Sequence, residues 1–267
     1  MTDATHTLNA GKAAAAAGKA TPAPAGGVAA DEVTLGLAHF REANERVRAA
    51  LARADAVTIR DANAQRYLGC ALPAGKSLDI LGTPGNDLGC YLDGGTIVVH
   101  GNGQDQVGNT MNDGAIVVHG RIGDAAGYAM RGGTILVRGD CGWRAGIHMK
   151  EYAGKRPAIV IGGDAGAFLG EYMAGGVIVI GGTPGDYVGT GMHGGVIYLR
   201  HPLSTERIMD GLIQEPVGEE DVPTLTALLD AYDEAFAGES PPLGGDLSSW
   251  HRLRPASTRP YGGLYAH

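Results

Sequence analysis

Apolar residues between positions 89 and 201 recur in blocks rather than at a simple helical or strand period. Glycines fall at 89, 108, 127, 146, 170 and 189, at intervals of 19, 19, 19, 24 and 19 residues. Three residues after each stands Leu92, Met111, Met130, Met149, Met173 or Met192. Further on come Ile97, Ile116, Ile135, Ile159, Ile178 and Ile197, and two residues beyond these Val99, Val118, Val137, Ile161, Ile180 and Leu199. The only methionines outside the first column are Met1 and Met209. The unit is G-x-x-M-x-G-G-x-I-x-V-x-G, as in GYAMRGGTILVRG at 127–139. A five-residue insertion around KEYAGKRPA accounts for the 24-residue interval, and a diverged half-copy, YLGCALPAGKSLDILG, precedes the first unit.

This period selects a shape. Helical repeats need ten or more helix formers per unit, and the segments between these glycines do not supply them. Leucine-rich repeats have a similar length but require an L-x-x-L-x-L spacing that is absent. Short β-branched strands between glycine corners remain, with glycine supplying positive φ. The expected fold is therefore mainly β: a right-handed parallel β-helix over 56–203, with six to seven coils of 19 residues. At about 4.8 Å per coil the prism is roughly 30 Å long, and the Met and Ile columns become continuous interior ladders.

Between the interior Ile and Val columns lie Val98, Val117, Leu136, Val160, Val179 and Tyr198. Strand alternation turns them outward, yet all are apolar. Such a face is covered, either by the chain's own ends or by another protein.

The flanks read as caps for the open ends of the solenoid. Residues 31–55 carry Leu35, Phe40, Val47 and Leu51 near helical spacing and predict an N-terminal helix. Residues 204–267 predict C-terminal helices and an extended strap; the clearest helix covers 218–238, with Pro223 near its first turn and Gly238 at its stop. The strap, WHRLRPASTRPYGGLYAH, is basic and aromatic and is expected to lie on the solenoid or on a neighbouring subunit. Residues 1–30 are Ala/Gly/Pro-rich, lack large apolar side chains and are expected to be disordered. Their only apolar run is five alanines, which does not make a secretory signal, so a cytoplasmic location is expected.

Composition adds two constraints. The 45 glycines among 267 residues, against three phenylalanines and two tryptophans, mark a folded chain with many corners. A net charge of −8 argues against a nucleic-acid partner or an anionic membrane surface, and no apolar run approaches the roughly 20 residues of a membrane span.

Candidate chemistry is sparse. AGKS at 74–77 resembles the end of a phosphate loop, but Cys70 stands where that loop needs glycine, so Lys76 reads as a corner residue. GTPG recurs at 82–85 and 182–185 as a turn. Cys70, Cys90 and Cys141 contain no C-x-x-C pair and read as buried free thiols. His100 and His119 are the candidate metal ligands, one coil apart in a column that continues as Arg138, Gly162, Gly181 and Arg200. No carboxylate in that column completes a site, and solvated corner histidines are the preferred reading. Asp105, Asp124 and Asp186 share a column before the glycines and read as turn formers bonding their own backbone. No residue is assigned a catalytic role.

As a set, the copies GNTMNDGAIVVHG, GYAMRGGTILVRG and GEYMAGGVIVIGG resemble the Gly-repeat β-helix family. That family includes the C-terminal domain of the large glutamate synthase chain and the Gly-repeat subunit of formylmethanofuran dehydrogenase. A free-standing solenoid with helical flanks is more similar to the dehydrogenase subunit, and the Gly/Ala-rich sequence suits its bacterial counterpart in the formyltransferase/hydrolase complex. The resemblance implies a non-catalytic scaffold in one-carbon metabolism. The complex moves formyl from formyl-tetrahydromethanopterin to methanofuran and hydrolyses formylmethanofuran to formate. It also implies partners, namely hydrolase, transferase and B-type chains, that carry the metal and the methanofuran-type cofactor. A molybdenum or tungsten formylmethanofuran dehydrogenase and a glutamate-synthase-like spacer are the alternatives. The 150–157 insertion departs from the family pattern, and its Lys150, Lys155 and Arg156 are candidates for contact with a partner or with the acidic tail of the cofactor.

Overall fold

The computed structural model describes residues 30–257. The tail expected over 1–30 lies, but for its last residue, outside the described residues, as does the strap beyond residue 257. The elements are β1 (Ala30–Thr34), α1 (Phe40–Leu51), β2 (Ala56–Asn63), β3 (Ser77–Thr83), β4 (Asp93–Val99), β5 (Asp113–Val118), β6 (Thr134–Val137), β7 (Ala158–Ile161), β8 (Ala174–Ile180) and β9 (Gly194–Leu199). After a 3₁₀ turn (Thr205–Arg207) come β10 (Leu212–Pro216), α2 (Val222–Ala235) and β11 (His251–Pro255).

Strands β1 to β9 stack in chain order as parallel neighbours, and β11 then β10 close the sheet. The register aligns Ile97, Ile116, Ile135, Ile159, Ile178 and Ile197 in one line. The 19-residue period is therefore the coil of a parallel β-solenoid, and the five-residue insertion is looped out without a slip, since Thr134 pairs with Ala158. Nine parallel strands make eight steps rather than six to seven, because β1, β2 and β3 continue the stack with sequences that diverge from the repeat. Within the expected helix 31–55, β1 takes the first residues because it pairs along its whole length with β2, and helix is confined to Phe40–Leu51.

On the opposite wall each coil from β2 to β9 makes a tight left-handed stretch, whereas α1 takes its place between β1 and β2. Gly127 has φ 64°, and so, nearly, do Ala125 at 55° and Ala129 at 50°, two residues to either side. Their amides alternate in direction. Ala125 and Ala129 donate to Trp143 O and Ile147 O of the next coil, at 2.7 and 2.9 Å, while Gly127 donates to Val107 O of the previous one at 2.8 Å. Three residues per coil share one backbone conformation, yet only the middle one is always glycine. The reason is direction: a Cβ on Gly127 would lie 2.5 Å from Ile159 Cδ1, and the same contact recurs from Gly69 to Gly170 with the isoleucine of the following coil. The glycine and isoleucine columns are two halves of one packing arrangement. At the last coil, Leu212 of β10 meets Gly189 in place of the absent isoleucine.

Both faces of the β-sheet are covered. The interior holds the Met, Ile and Val ladders, with Met111, Met130, Met149 and Met173 fully buried. The outward column is buried by the chain itself. Leu225, Leu228, Leu229 and Tyr232 of α2, with Phe236, Leu243 and Trp250, pack on Val98, Val117, Leu136, Val160, Val179 and Tyr198. This settles the choice left open by the sequence in favour of the chain's own C-terminal region. A buried polar cluster fixes the helix there: Tyr198 donates to Asp221 at 2.7 Å, and Arg252 of β11 donates to the other carboxylate oxygen at 2.9 Å. At the N-terminal end α1 lays Ala43, Val47 and Ala50 against the first strands. Lys76 caps this helix by donating to Leu51 O, Ala54 O and Asp55 Oδ1 at 2.7, 2.9 and 2.7 Å, so its amine is engaged rather than poised for phosphate.

Candidate functional site

The residues nominated by sequence are brought into two places. His100 and His119 stack at 5.0 Å between ring centroids, in a cleft of about 320 Å³ where the segment after α2 meets the solenoid. His100 is exposed at its corner and His119 is half-buried, and each has a carboxylate neighbour. His100 Nε2 lies 2.6 Å from Asp79 Oδ1, and His119 Nδ1 lies 2.8 Å from Glu239 Oε1, whose other oxygen accepts from Arg138 at 2.9 Å. The carboxylates come from outside the repeat column, which is why the column alone did not reveal them. Glu239 ties the segment after α2 to His119 and Arg138, whereas the His100–Asp79 contact joins two neighbouring coils; among the described residues no group of three or more His, Cys, Asp or Glu is arranged to hold a metal ion.

The insertion contributes less free positive charge than its sequence suggests. Lys155 pairs with Asp113 at 2.9 Å and Arg156 with Glu151 at 3.3 Å, while Lys150 is exposed. The aspartate column also differs from expectation. Asp105 Oδ1 accepts the backbone N–H of Asp124 at 3.0 Å, and Asp124 Oδ1 that of Trp143 at 2.8 Å, so these side chains bond the next coil rather than their own turn. Asp186 instead pairs with Arg207 at 3.3 Å. Of the thiols, Cys90 and Cys141 are buried but Cys70 is exposed.

The feature that the repeat pattern concealed is aromatic. The left-handed wall lies opposite the sheet that α2 covers, and it displays rings along most of its length. Trp143 and Tyr187 are each 53% exposed and Tyr172 is 43% exposed. Two ladders run across the coils. In one, Tyr128, His148 and Tyr172 follow at centroid distances of 5.9 and 5.4 Å. In the other, Trp143, Phe168 and Tyr187 follow at 6.4 and 4.9 Å. Arg144 lies over Phe168 at 4.8 Å and is held by Glu171 at 3.0 Å. His148, Phe168, Tyr172 and Tyr187 all have positive φ, between 53° and 62°. Such a conformation is unfavourable for a bulky residue by about 1–2 kcal/mol relative to its ordinary regions. The sequence signal was present in the residues flanking each repeat glycine, but these vary from coil to coil and so drop out of a consensus.

Buried ionisable groups give the fold a pH dependence. Burial pushes the Cys141 thiol up to about 12, and burial followed by the bond to Asp221 raises Tyr198. In the unfolded chain a thiol titrates near 8.5. Folded values above unfolded ones mean that the stabilisation is complete below the unfolded value and is lost as pH rises toward the folded one. Loss of about 1.4 kcal/mol per pH unit should begin above about pH 9 for Cys141 and above about pH 10 for Tyr198. Denaturant midpoints are expected to stay level from pH 6 to 8 and to fall above 9, with a shallower slope in Cys141→Ala; an unchanged slope in that variant would refute the assignment.

The GXGXG motif family model matches residues 41–228. An uncharacterized protein of Methanocaldococcus jannaschii is 38% identical over 242 residues, covering 85% of this chain and 93% of that protein. Among solved structures, the formyltransferase/hydrolase complex of Methylorubrum extorquens, in complex with methylofuran, contains a chain 21% identical to this one with a TM-score of 0.47; the match covers 77% of this chain and 86% of that one. No helix among the described residues is long and apolar enough to cross a membrane. With repeat, register and family model in agreement over most of its length, this chain belongs to the GXGXG motif family.

Proposed function

We propose that this chain is a non-catalytic scaffold subunit of a multi-subunit enzyme and that the aromatic wall is where its partner docks. The observation that carries this reading is the contrast between the two sides. The apolar sheet face is buried under the chain's own α2, whereas the left-handed wall leaves Trp143, Tyr172 and Tyr187 in solvent, the two tyrosines at a conformational cost. Tyr, Trp and Arg are the residue types enriched in protein interfaces and their hot spots. The resemblance of the repeat, in a free-standing chain with helical flanks, supports the formyltransferase/hydrolase complex as that enzyme. Its transferase and metal-dependent hydrolase chains would hold the methanofuran-type cofactor and the metal. Family membership applies equally to a glutamate-synthase-like spacer, and the two readings differ in their partners.

The test is affinity purification of the tagged chain from its native host, beside the triple variant Trp143→Ala/Tyr172→Ala/Tyr187→Ala. The expected result is stoichiometric recovery of hydrolase and formyltransferase chains with the wild type. The variant should bind at least about 100-fold more weakly, since hot-spot truncations each cost on the order of 2 kcal/mol or more. Its melting temperature should be nearly unchanged, because exposed rings contribute little to the core. Glutaminase and flavin-binding chains in their place would replace the formyl reading with the glutamate-synthase-like one. A molybdenum or tungsten protein would indicate the dehydrogenase. A wild-type chain that emerges as a monomer, or a variant that retains its partners, would overturn the docking assignment.

A further inference from the structure

We propose that Cys70 and Cys90 form a redox pair in which a peroxide oxidises the exposed Cys70 and Cys90 closes the product to a disulfide between adjacent coils. Two backbone bonds bracket the pair: Gly89 N–H donates to Leu68 O at 2.8 Å, and Ala71 N–H donates to Cys90 O at 2.9 Å. They place Cys70 directly across from Cys90 in the stack. Coil neighbours lie about 4.8 Å apart, within the roughly 4.4–6.8 Å between α-carbons that a disulfide accepts. The repeat itself creates the opportunity, since both cysteines follow the repeat glycine, Gly69 or Gly89, by one residue, and the same position in the next coil is Asn109. Access divides the roles. Cys70 is exposed and Cys90 buried, so the oxidant meets Cys70 first. Burial, and after it the neighbouring Cys70, raises the Cys90 thiol and keeps it protonated until a partner sulfur is activated beside it.

The chemistry balances with one peroxide. The Cys70 sulfur attacks a peroxide oxygen and the O–O bond breaks, giving the Cys70 sulfenic acid and, with the thiol proton, one water. The Cys90 sulfur then attacks the Cys70 sulfur. The S–O bond breaks, and the leaving hydroxide takes the Cys90 proton as the second water. Two thiols lose two electrons, and the peroxide gains them.

The test exposes the full chain to a small excess of hydrogen peroxide and then counts free thiols by alkylation and mass spectrometry under denaturing conditions. Two of the three thiols should disappear together within one chain, with a peptide linking Cys70 to Cys90 and Cys141 still free. Cys141→Ser should behave as wild type. Cys90→Ser should stop at a Cys70 sulfenic acid trapped by dimedone. Cys70→Ser, a change at an exposed position, should leave Cys90 reduced. Wild-type protein that accumulates the dimedone adduct and no internal disulfide would refute the pairing, as would cross-links only between copies or thiols that all survive oxidant sufficient to label Cys90→Ser.

Discussion

Met130→Asp is expected to abolish folding of the chain, whereas Met130→Leu should fold with a loss below about 1.5 kcal/mol. Met130 is fully buried in the middle of the methionine ladder and stands three residues after Gly127 in its own coil. Removing a buried Met side chain costs about 2–5 kcal/mol through lost contacts and the cavity left behind. The carboxyl adds the cost of burying a polar group with no partner, a further 1–3 kcal/mol even when neutral. The sum approaches the roughly 5–15 kcal/mol that holds a typical domain together. A solenoid transmits this loss, because each coil contacts only its neighbours and a broken middle coil leaves two halves, each with an open end at the break. Circular dichroism at 25 °C and limited proteolysis measure the outcome. A cooperatively melting Met130→Asp protein would mean that the ladder is not the interior of the fold.

The architecture was legible because a solenoid converts sequence period into spatial register. Met111, Met130 and Met173 share a column in the chain and a ladder in space, and even the insertion at 150–157 leaves the isoleucine pairing intact. Features outside the strict period were harder to read. The segment ADEVT has too few apolar residues to announce β1, which is held by backbone pairing with β2 rather than by burial of its side chains. Lys76 looked like a corner residue because the carbonyls it caps belong to a helix about 25 residues away in sequence. The partners of His100 and His119, Asp79 and Glu239, come from β3 and from beyond α2, distances at which no local spacing carries information. The aromatic wall was missed for a different reason. Positive φ at non-glycine residues is invisible in one-letter code, so Tyr172 and Tyr187 could not be placed on an exposed wall until the backbone was known.

The pairing of the glycine and isoleucine columns predicts a sign difference between neighbours that share one backbone conformation. Gly127→Ala is expected to cost about 2–4 kcal/mol, and Ala129→Gly to be neutral or to stabilise by up to about 1 kcal/mol. At Gly127, φ is 64° and the new methyl would sit 2.5 Å from Ile159 Cδ1, a fully buried atom enclosed by the ladder. Left-handed strain contributes about 1–2 kcal/mol and overpacking another 1–3. At Ala129, φ is 50° but the side chain is not confined in the core, so glycine relieves strain and loses only about 0.4–1 kcal/mol through the greater freedom of the unfolded chain. Ile159→Val removes the one carbon that the new methyl would strike, and in its background the cost of Gly127→Ala should shrink by about 1 kcal/mol or more. Equilibrium denaturation of the four members of this cycle measures the coupling. If Gly127→Ala costs the same in the Ile159→Val background as in the wild type, backbone strain alone explains the glycine column, and the facing isoleucine has no part in it.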